Sequence, residues 1–462
     1  MIVWTRPHRT LPLAGLCLVV LLAACSGSMA STAPAAGSPS EAPARTPSPV
    51  PAPTAAVAAS DVPTPTTAPV AAASPTQQLI DFLVDHVKDE PKDGEAQRDL
   101  GLAILQRIRE TADPSRYPAA EAALDAARAL RPRDPLVLVG MGGLELGRHE
   151  FAKALKTGRA ALKLVPDYAP ARGVVVDALI ELGRYDEAFR DAESLAHDGP
   201  DLASLARLSY SRELRGDLDG ALAAMTEAAA SPGLAPENTA YVTALRGQLE
   251  RLTGDPDAAR ASYEDALALV ADHAPSLAGL GRLAVGAGDL AAAKADFERA
   301  SAVVPLPEYV IALGDVLQAS GDIAGAKQQY DLARAEIALF QAGGVIVDQE
   351  LALFEADHGD PARALTLAQS AYESTPTVRA ADALAWALHR LGRDDEAADR
   401  ATETLRLGSL DPLLRYHAGA IAAARGDIEA ARRDLGLALA MDPGFSATGA
   451  AEARRLLDGL AS

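Results

Sequence analysis

A glycine followed five residues later by an alanine occurs eight times between residues 183 and 431 of this 462-residue chain. Successive glycines of the series are 33, 34 or 38 residues apart. The pairs are Gly183/Ala188, Gly216/Ala221, Gly254/Ala259, Gly288/Ala293, Gly321/Ala326, Gly359/Ala364, Gly392/Ala397 and Gly426/Ala431. A period near 34 residues is typical of stacked helical solenoids, in which each unit buries its apolar face on its neighbours. The spacing therefore predicts one elongated repeat domain.

The composition favours helices over strands. Hydrophobic residues make up 49% of the chain but aromatic residues only 4%, so the core has to be built from alanine, leucine and valine, which predicts an all-α fold. The formal net charge is −20. Because an acidic surface repels phosphate backbones, and no basic stripe is interleaved with aromatic residues, we expect no nucleic acid partner.

Residues 1–24 have the pattern of a secretory signal peptide. Two arginines and a histidine precede an apolar run over residues 11–22, which is too short for a bilayer span of about 20 residues. The run ends in Leu-Ala-Ala-Cys at Cys25, which resembles the bacterial lipobox, whose cysteine is acylated and becomes the first residue. The alternative is a plain secretory signal with an incidental cysteine.

Lipidation of Cys25 would leave no cysteine for a disulfide, because the only other one, Cys17, lies within the signal. Loss of Arg6 and Arg9 with the signal would bring the net charge to about −22. The resemblance implies a lipid-anchored protein of the bacterial cell envelope that faces the extracytoplasmic side. It would lie on the outer membrane if the cell has two membranes, and otherwise on the outer face of the cytoplasmic membrane.

Residues 25–73 are almost wholly alanine, proline, serine and threonine. Such a segment buries too little apolar surface to offset its ordering entropy, so we predict a disordered tether. At about 3.1 Å per residue, an extended tether of this length would reach on the order of 150 Å. We place an N-terminal helix at 74–92, the repeat array at 93–446 and a capping helix at 447–462. The capping helix has apolar residues on one side and polar residues on the other.

The clearest unit runs from Ala274 to Pro305. Leu277, Leu280 and Gly281 recur at helical spacing on a first helix, and a glycine-aspartate turn then leads into a second helix that a proline ends. Small residues at Gly281 and Ala293 would let the two helices approach closely.

This pattern resembles the tetratricopeptide repeat, a 34-residue helix-turn-helix unit. Together with the lipobox-like ending at Cys25, it resembles a bacterial lipoprotein built from such repeats. The resemblance covers roughly three quarters of the chain and implies an α-α superhelix of about ten repeats. No repeat has the family's tryptophan near its fourth position, and the second-helix aromatic survives only in Tyr263, Phe297 and Tyr330.

In this family the first helices line a concave face that usually binds partners. The resemblance places these non-aliphatic side chains there: Tyr210, Tyr241, Gln248, Arg251, Arg282, Asp315, Gln318, Arg379, Asp382, Trp386, His389 and Tyr416. Aromatic residues and arginine commonly anchor interfaces. The candidate partner-binding residues are therefore Tyr210, Tyr241, Arg251, Arg282, Trp386, His389 and Tyr416. The alternative is that Trp386 and its neighbours pack in the core, as aromatic residues at helical spacing more often do.

We find no motif for catalysis, metal binding or a cofactor. The eight histidines are scattered, with no His-Glu-x-x-His run and no Gly-x-Ser-x-Gly elbow. The sequence therefore favours a non-catalytic scaffold that binds unidentified proteins or peptides, by analogy in envelope assembly or secretion. A cell-wall or glycan binding module is the alternative, and it would use tyrosines and Trp386 to stack on sugars.

Overall fold

The computed structural model describes residues 74–231, 233 and 235–461, and these residues form a helical array. Within this part of the chain there is no β-strand. The predicted signal peptide (1–24), Cys25 and the predicted tether (25–73) lie outside the described residues.

Ten antiparallel helix pairs follow one N-terminal helix, α1 (Pro75–Asp89), and precede a C-terminal helix, α22 (Gly449–Ala461). The pairs, numbered 1 to 10 in chain order, are α2 (Gly94–Thr111) and α3 (Tyr117–Leu130); α4 (Pro135–Gly147) and α5 (Phe151–Leu164); α6 (Ala169–Glu181) and α7 (Tyr185–Asp198); α8 (Leu202–Glu213) and α9 (Leu218–Ala230); α10 (Pro236–Leu252) and α11 (Pro256–Leu269); α12 (Ala274–Gly286) and α13 (Leu290–Val303); α14 (Pro307–Ala319) and α15 (Ile323–Ala342); α16 (Asp348–His358) and α17 (Pro361–Ser374); α18 (Val378–Arg390) and α19 (Asp394–Thr404); α20 (Pro412–Ala424) and α21 (Ile428–Met441).

The repeated glycines form the turns inside the pairs. Seven of the eight have φ between 69° and 86°, the left-handed region that glycine adopts without a steric penalty. Gly359 is the exception, with φ of −140°. In six pairs an aspartate follows the glycine, and its side chain accepts a hydrogen bond from the first turn of the second helix. The period near 34 thus reflects one tight turn per pair, which an aspartate caps in six pairs.

The repeated alanines lie where the two helices of a pair meet. All eight are at most 2% exposed. A glycine of the first helix often faces an aromatic ring of the second, as at Gly281, where an added Cβ would lie 3.0 Å from the ring of Phe297. The predicted close approach of the paired helices is therefore confirmed, and any larger side chain at these positions would force them apart.

The irregular spacings have visible causes. Pair 1 has a 3-10 helix, Pro114–Arg116, in its lengthened turn. The second 38-residue step, from Gly321 to Gly359, is accommodated mainly by a longer second helix. α15 is 20 residues long and ends at Ala342, because alanine, leucine and glutamine favour continued helix.

The superhelix is wound so tightly that successive turns touch. The turn of pair 3 lies on the connection after pair 8, where an added Cβ at Gly183 would be 2.8 Å from the carbonyl oxygen of Pro376. The turn of pair 4 lies on the connection after pair 9 in the same way, with Gly216 against Gly408. A turn therefore meets a connection five pairs further along the chain.

Hydrogen bonds reinforce this contact between superhelical turns. The Tyr185 hydroxyl accepts from the backbone N–H of Val378, 3.0 Å away, at the first residue of α18. In pair 2, the backbone N–H of Ile346 donates to the carbonyl of Arg148 over 3.2 Å. One turn of the superhelix consequently takes between five and six pairs, and the first helices face a narrow interior.

Candidate partner-binding sites

All seven candidate residues lie on first helices, which line the interior of the superhelix. Tyr210 is on α8, Tyr241 and Arg251 are on α10, and Arg282 is on α12. Trp386 and His389 are on α18, and Tyr416 is on α20. Aligning the sequence with the tetratricopeptide repeat thus places each candidate residue on the correct helix of its pair.

Four of these side chains are buried, although we expected them to be exposed in a groove. Tyr241 is 8% exposed, Arg251 7%, Trp386 1% and Tyr416 0%. The expectation of an open concave face is wrong at these positions, because neighbouring helices and the next turn of the superhelix cover them. Any direct contact of Tyr241 or Arg251 with a partner requires the array to open, and the partner role of all four stays a prediction.

The other three candidates keep part of their surface. Tyr210, Arg282 and His389 are half-buried. Arg282 faces Glu308 on the next first helix at 3.9 Å. Gly444, in the connection before α22, packs on the backbone of α12 beside Arg282. The C-terminal connection therefore covers the inner side of α12.

Charged side chains cross the interior between distant pairs. Arg109 of α2 donates to Glu237 over 3.1 Å and to Asn238 over 3.0 Å, both at the start of α10. Arg251 pairs with Asp442, which ends α21. Both pairs are desolvated, so removing one partner would leave a buried charge without compensation.

Two half-buried glutamates face the same arginine in this interior. Burial raises the pKa of Glu181 to about 7, and the positive charge of Arg379 opposes this shift. Burial likewise raises the pKa of Glu213 to about 7, against the same arginine and a hydrogen bond from Gln248. Arg379 belongs to α18, one superhelical turn away from α6 and α8, so these charges couple successive turns.

Trp386, His389 and Tyr416 come together around one cavity of about 420 Å³, which we call the cap cavity. It lies between α18, α20 and the C-terminal helix α22. Its lining residues are Trp386, His389, Arg390, Tyr416, Ala420, Ala423, Ala424, Glu452, Arg455, Leu456, Gly459 and Leu460. Pockets of this size commonly hold a small molecule.

Trp386 is held in an aromatic cluster behind this cavity. Its ring stacks on His417 at 4.0 Å and on His389 at 4.9 Å between ring centroids, so helical spacing does place His389 beside it. The indole Nε1–H donates to Asp357 over 2.7 Å. Burial raises the pKa of Asp357 to about 7. The tryptophan therefore joins pairs 8, 9 and 10, as a packing residue would.

The charged residues of the cap cavity are not among the sequence candidates. Arg390 follows Trp386 by four residues, and Glu452 and Arg455 form an ion pair one helical turn apart. Helical spacing alone would have indicated these contacts. Asp357 carries no such signal, because it lies 29 residues before Trp386, which is off the repeat period.

The described residues contain no cluster of three or more histidine, cysteine, aspartate or glutamate side chains suited to a metal ion. Among the residues that line the cap cavity, Glu452 is the one carboxylate. None of the helices in residues 74–461 combines the length and hydrophobicity that a membrane span requires.

Ten helix pairs wound into a superhelix define a helical-repeat protein. The tetratricopeptide repeat family is matched over residues 109–169 and 350–412, which cover pairs 2 and 9 and parts of their neighbours. These two stretches of the chain are therefore tetratricopeptide repeats, and repeats of this kind imply a protein-interaction scaffold.

Known proteins resemble the chain over parts of its length. Cellulose synthase operon protein C of Xanthomonas axonopodis pv. citri (strain 306) is 32% identical over an alignment of 225 residues that covers 45% of this chain. The chain covers only 13% of that relative.

Two solved structures resemble the chain at low identity. A thermophilic TPR protein of Thermus thermophilus is 19% identical, with 42% of this chain and 92% of that chain covered and a TM-score of 0.31. A human IFIT1 dimer with m7Gppp-AAAA is 14% identical, with 80% and 91% covered and a TM-score of 0.45.

Proposed function

We propose that this chain is a non-catalytic scaffold, anchored in the bacterial cell envelope, that binds a partner protein or peptide at the C-terminal end of its array. The observation that carries the proposal is the cap cavity, where three of the seven candidate residues meet. Tyr241 and Arg251 are buried, whereas Trp386, His389 and Tyr416 border this open cavity.

The anchor in this proposal is a lipid on Cys25. The support comes from the sequence: a short apolar run, the Leu-Ala-Ala-Cys ending and a tether of about 50 residues that would lift the array from the membrane. The protein would face the extracytoplasmic side, on the outer membrane of a cell with two membranes or on the cytoplasmic membrane of a cell with one. A role in envelope assembly or secretion would be consistent with that location.

A glycan or cell-wall binding module is the second candidate. The name of the Xanthomonas relative, which refers to a cellulose synthase operon, favours it. The surroundings of Trp386 oppose it, because His417 and His389 stack on the ring and the residue is 1% exposed. Sugars stack on open aromatic faces, so this tryptophan would have to be uncovered first.

Cross-linked affinity capture from cells tests the scaffold. Ala424 is exposed and lines the cap cavity, so Ala424→Trp would block the cavity without entering the core. Ala335→Trp, at an exposed position on α15 outside the cavity, is the matched control. We expect the native chain and the control to recover the same proteins, and Ala424→Trp to recover at least about tenfold less. Equal recovery by all three chains would remove the proposed site.

The anchor is tested separately by fatty-acid labelling and detergent partitioning. Cys25→Ser should lose the label and leave the membrane fraction, whereas Cys17→Ser should keep both. Labelling that persists in Cys25→Ser would contradict the lipid anchor while leaving the partner site open to the capture experiment.

A further inference from the structure

The C-terminal end of the array is less acidic than the middle of the chain. Residues 378–462 contain eleven arginines and thirteen aspartates and glutamates, a net charge of −2. Residues 169–377 carry a net charge of −18. An anionic ligand is therefore repelled less at this end than along those middle repeats.

A tyrosine hydroxyl at the cap cavity lacks a partner. Tyr416 lines the cavity and is 0% exposed, yet its hydroxyl makes no hydrogen bond to any described residue. A buried polar group left unpaired costs about 1–3 kcal/mol. Burial, together with the negative charges of Asp357 and Glu452, raises the pKa of Tyr416 well above its ordinary value. The hydroxyl therefore keeps its proton and needs an acceptor.

Two guanidinium groups border the same cavity. Arg390 ends α18, where its Nε–H donates to the carbonyl of Ala356 over 2.9 Å and its Cζ lies 5.9 Å from the Trp386 ring. Arg455 projects from α22 and pairs with Glu452. Guanidinium groups bind carboxylates with two parallel hydrogen bonds, so a ligand carboxylate matches this pair better than a neutral group does.

The remaining wall is aliphatic and built from small residues. Ala420 and Ala423 of α20 face Leu456 and Leu460 of α22 across the cavity. This wall suits a short methylene stem, and about 420 Å³ is room for one side chain rather than a folded element.

We infer that the cap cavity binds the acidic side chain of a partner segment, with the carboxylate at Arg390, Arg455 and the Tyr416 hydroxyl. The methylene stem then lies against Ala420 and Leu456. This inference rests on the proposed scaffold function and adds the chemical class of the group that the scaffold recognises.

Calorimetric titration of the full chain tests the inference with defined probes. The probes are an N-acetylated, C-amidated tripeptide with a central glutamate, the same peptide with glutamine, and a glutamine peptide with a free carboxyl terminus. We expect the glutamate peptide to bind at least about tenfold more tightly than the glutamine peptide. Tyr416→Phe, which removes only the hydroxyl, should weaken glutamate binding about fivefold, as loss of one hydrogen bond of about 1 kcal/mol predicts.

Tyr372→Phe is the matched control, because its hydroxyl bonds to Glu403 away from the cavity. The inference fails if the glutamate and glutamine peptides bind equally, if only the free carboxyl terminus distinguishes them, or if Tyr416→Phe binds glutamate as the native chain does. The capture experiment separates this failure from failure of the scaffold. A partner that is lost with Ala424→Trp but recovered fully with Tyr416→Phe would keep the scaffold and reject the carboxylate.

Discussion

Trp386 donates a hydrogen bond from its indole Nε1–H to Asp357, 2.7 Å away, and so joins α18 to the end of α16. Both residues are almost completely buried. The bond crosses the interface between pairs 8 and 9, where the aliphatic contacts are made largely by alanines. It supplies this interface with a directional contact that small side chains do not provide.

Trp386→Phe should lower the free energy of unfolding by about 1–3 kcal/mol. The smaller ring leaves a cavity and removes the donor to Asp357. Urea titration followed by circular dichroism measures the change. Phe82→Leu, at a position 66% exposed on α1, should stay within about 0.5 kcal/mol of the native chain. A similar loss in both variants would mean that the tryptophan is not specially placed.

Removal of a hydroxyl should have opposite effects at two buried tyrosines. Tyr185→Phe would leave the N–H of Val378 without its acceptor and lower the thermal midpoint, as expected for a lost hydrogen bond of about 1 kcal/mol. Tyr416→Phe would remove an unpaired hydroxyl and leave the ligand-free midpoint unchanged or higher. A lower midpoint in both variants would show that the Tyr416 hydroxyl has a partner.

Two glycine turns with nearly equal φ separate backbone strain from contact between superhelical turns. Gly183 and Gly392 have φ of 69° and 71°, but only Gly183 faces another turn, at the Pro376 carbonyl. Around Gly392 no described atom lies within 4 Å of an added Cβ. We expect Gly392→Ala to cost about 1 kcal/mol and Gly183→Ala to cost about 1–3 kcal/mol more in urea unfolding. Equal costs would contradict the close contact.

The interior glutamates make the array sensitive to pH. Because the folded pKa of Glu181 and Glu213 is about 7, against an ordinary value of 4.5, the folded chain retains protons that the unfolded chain has released. Their contribution to the free energy of unfolding is therefore greatest below pH 4.5, falls as the pH rises to about 7 and is then constant. Thermal midpoints between pH 5 and pH 8 should show this fall.

The double variant Glu181→Gln/Glu213→Gln should flatten that pH dependence. Glu187→Gln is the control, since the hydrogen bond from exposed Arg184 lowers the pKa of Glu187 and leaves no titration near pH 7. An unchanged slope in the double variant would assign the pH dependence to other groups. Asp357, whose pKa is also about 7, is the first of these to test.

The sequence predicts the helix pairs well because their determinants are local. Gly288 and Asp289 specify a turn and a helix cap within two residues, and Ala293 specifies close packing one helical turn later. The winding of the superhelix is different, because small differences in packing at each interface add up over several pairs. The contact between Tyr185 and Val378, 193 residues apart, depends on that sum and leaves no short-range pattern.

The candidate residues likewise combine features that one helix determines with features that several helix pairs determine together. A spacing of three residues within one helix puts His389 beside Trp386, and their rings stack. The burial of Trp386 depends on His417 and on Asp357, which come from the neighbouring pairs. Register identifies the inner face of a helix, but the number of pairs per superhelical turn decides whether that face meets water or protein.

The contact of the turns of pairs 2, 3 and 4 with connections five pairs away changes how the array responds to force. In an open solenoid, pulling on the two ends spreads the strain evenly over every interface between neighbours. In this chain the bonds between turns, such as that from Val378 to Tyr185, have to break before the coil lengthens. We therefore expect the array to be stiff under small forces and to extend once the force breaks the bonds between turns. The helix pairs would stay folded while the superhelix opens.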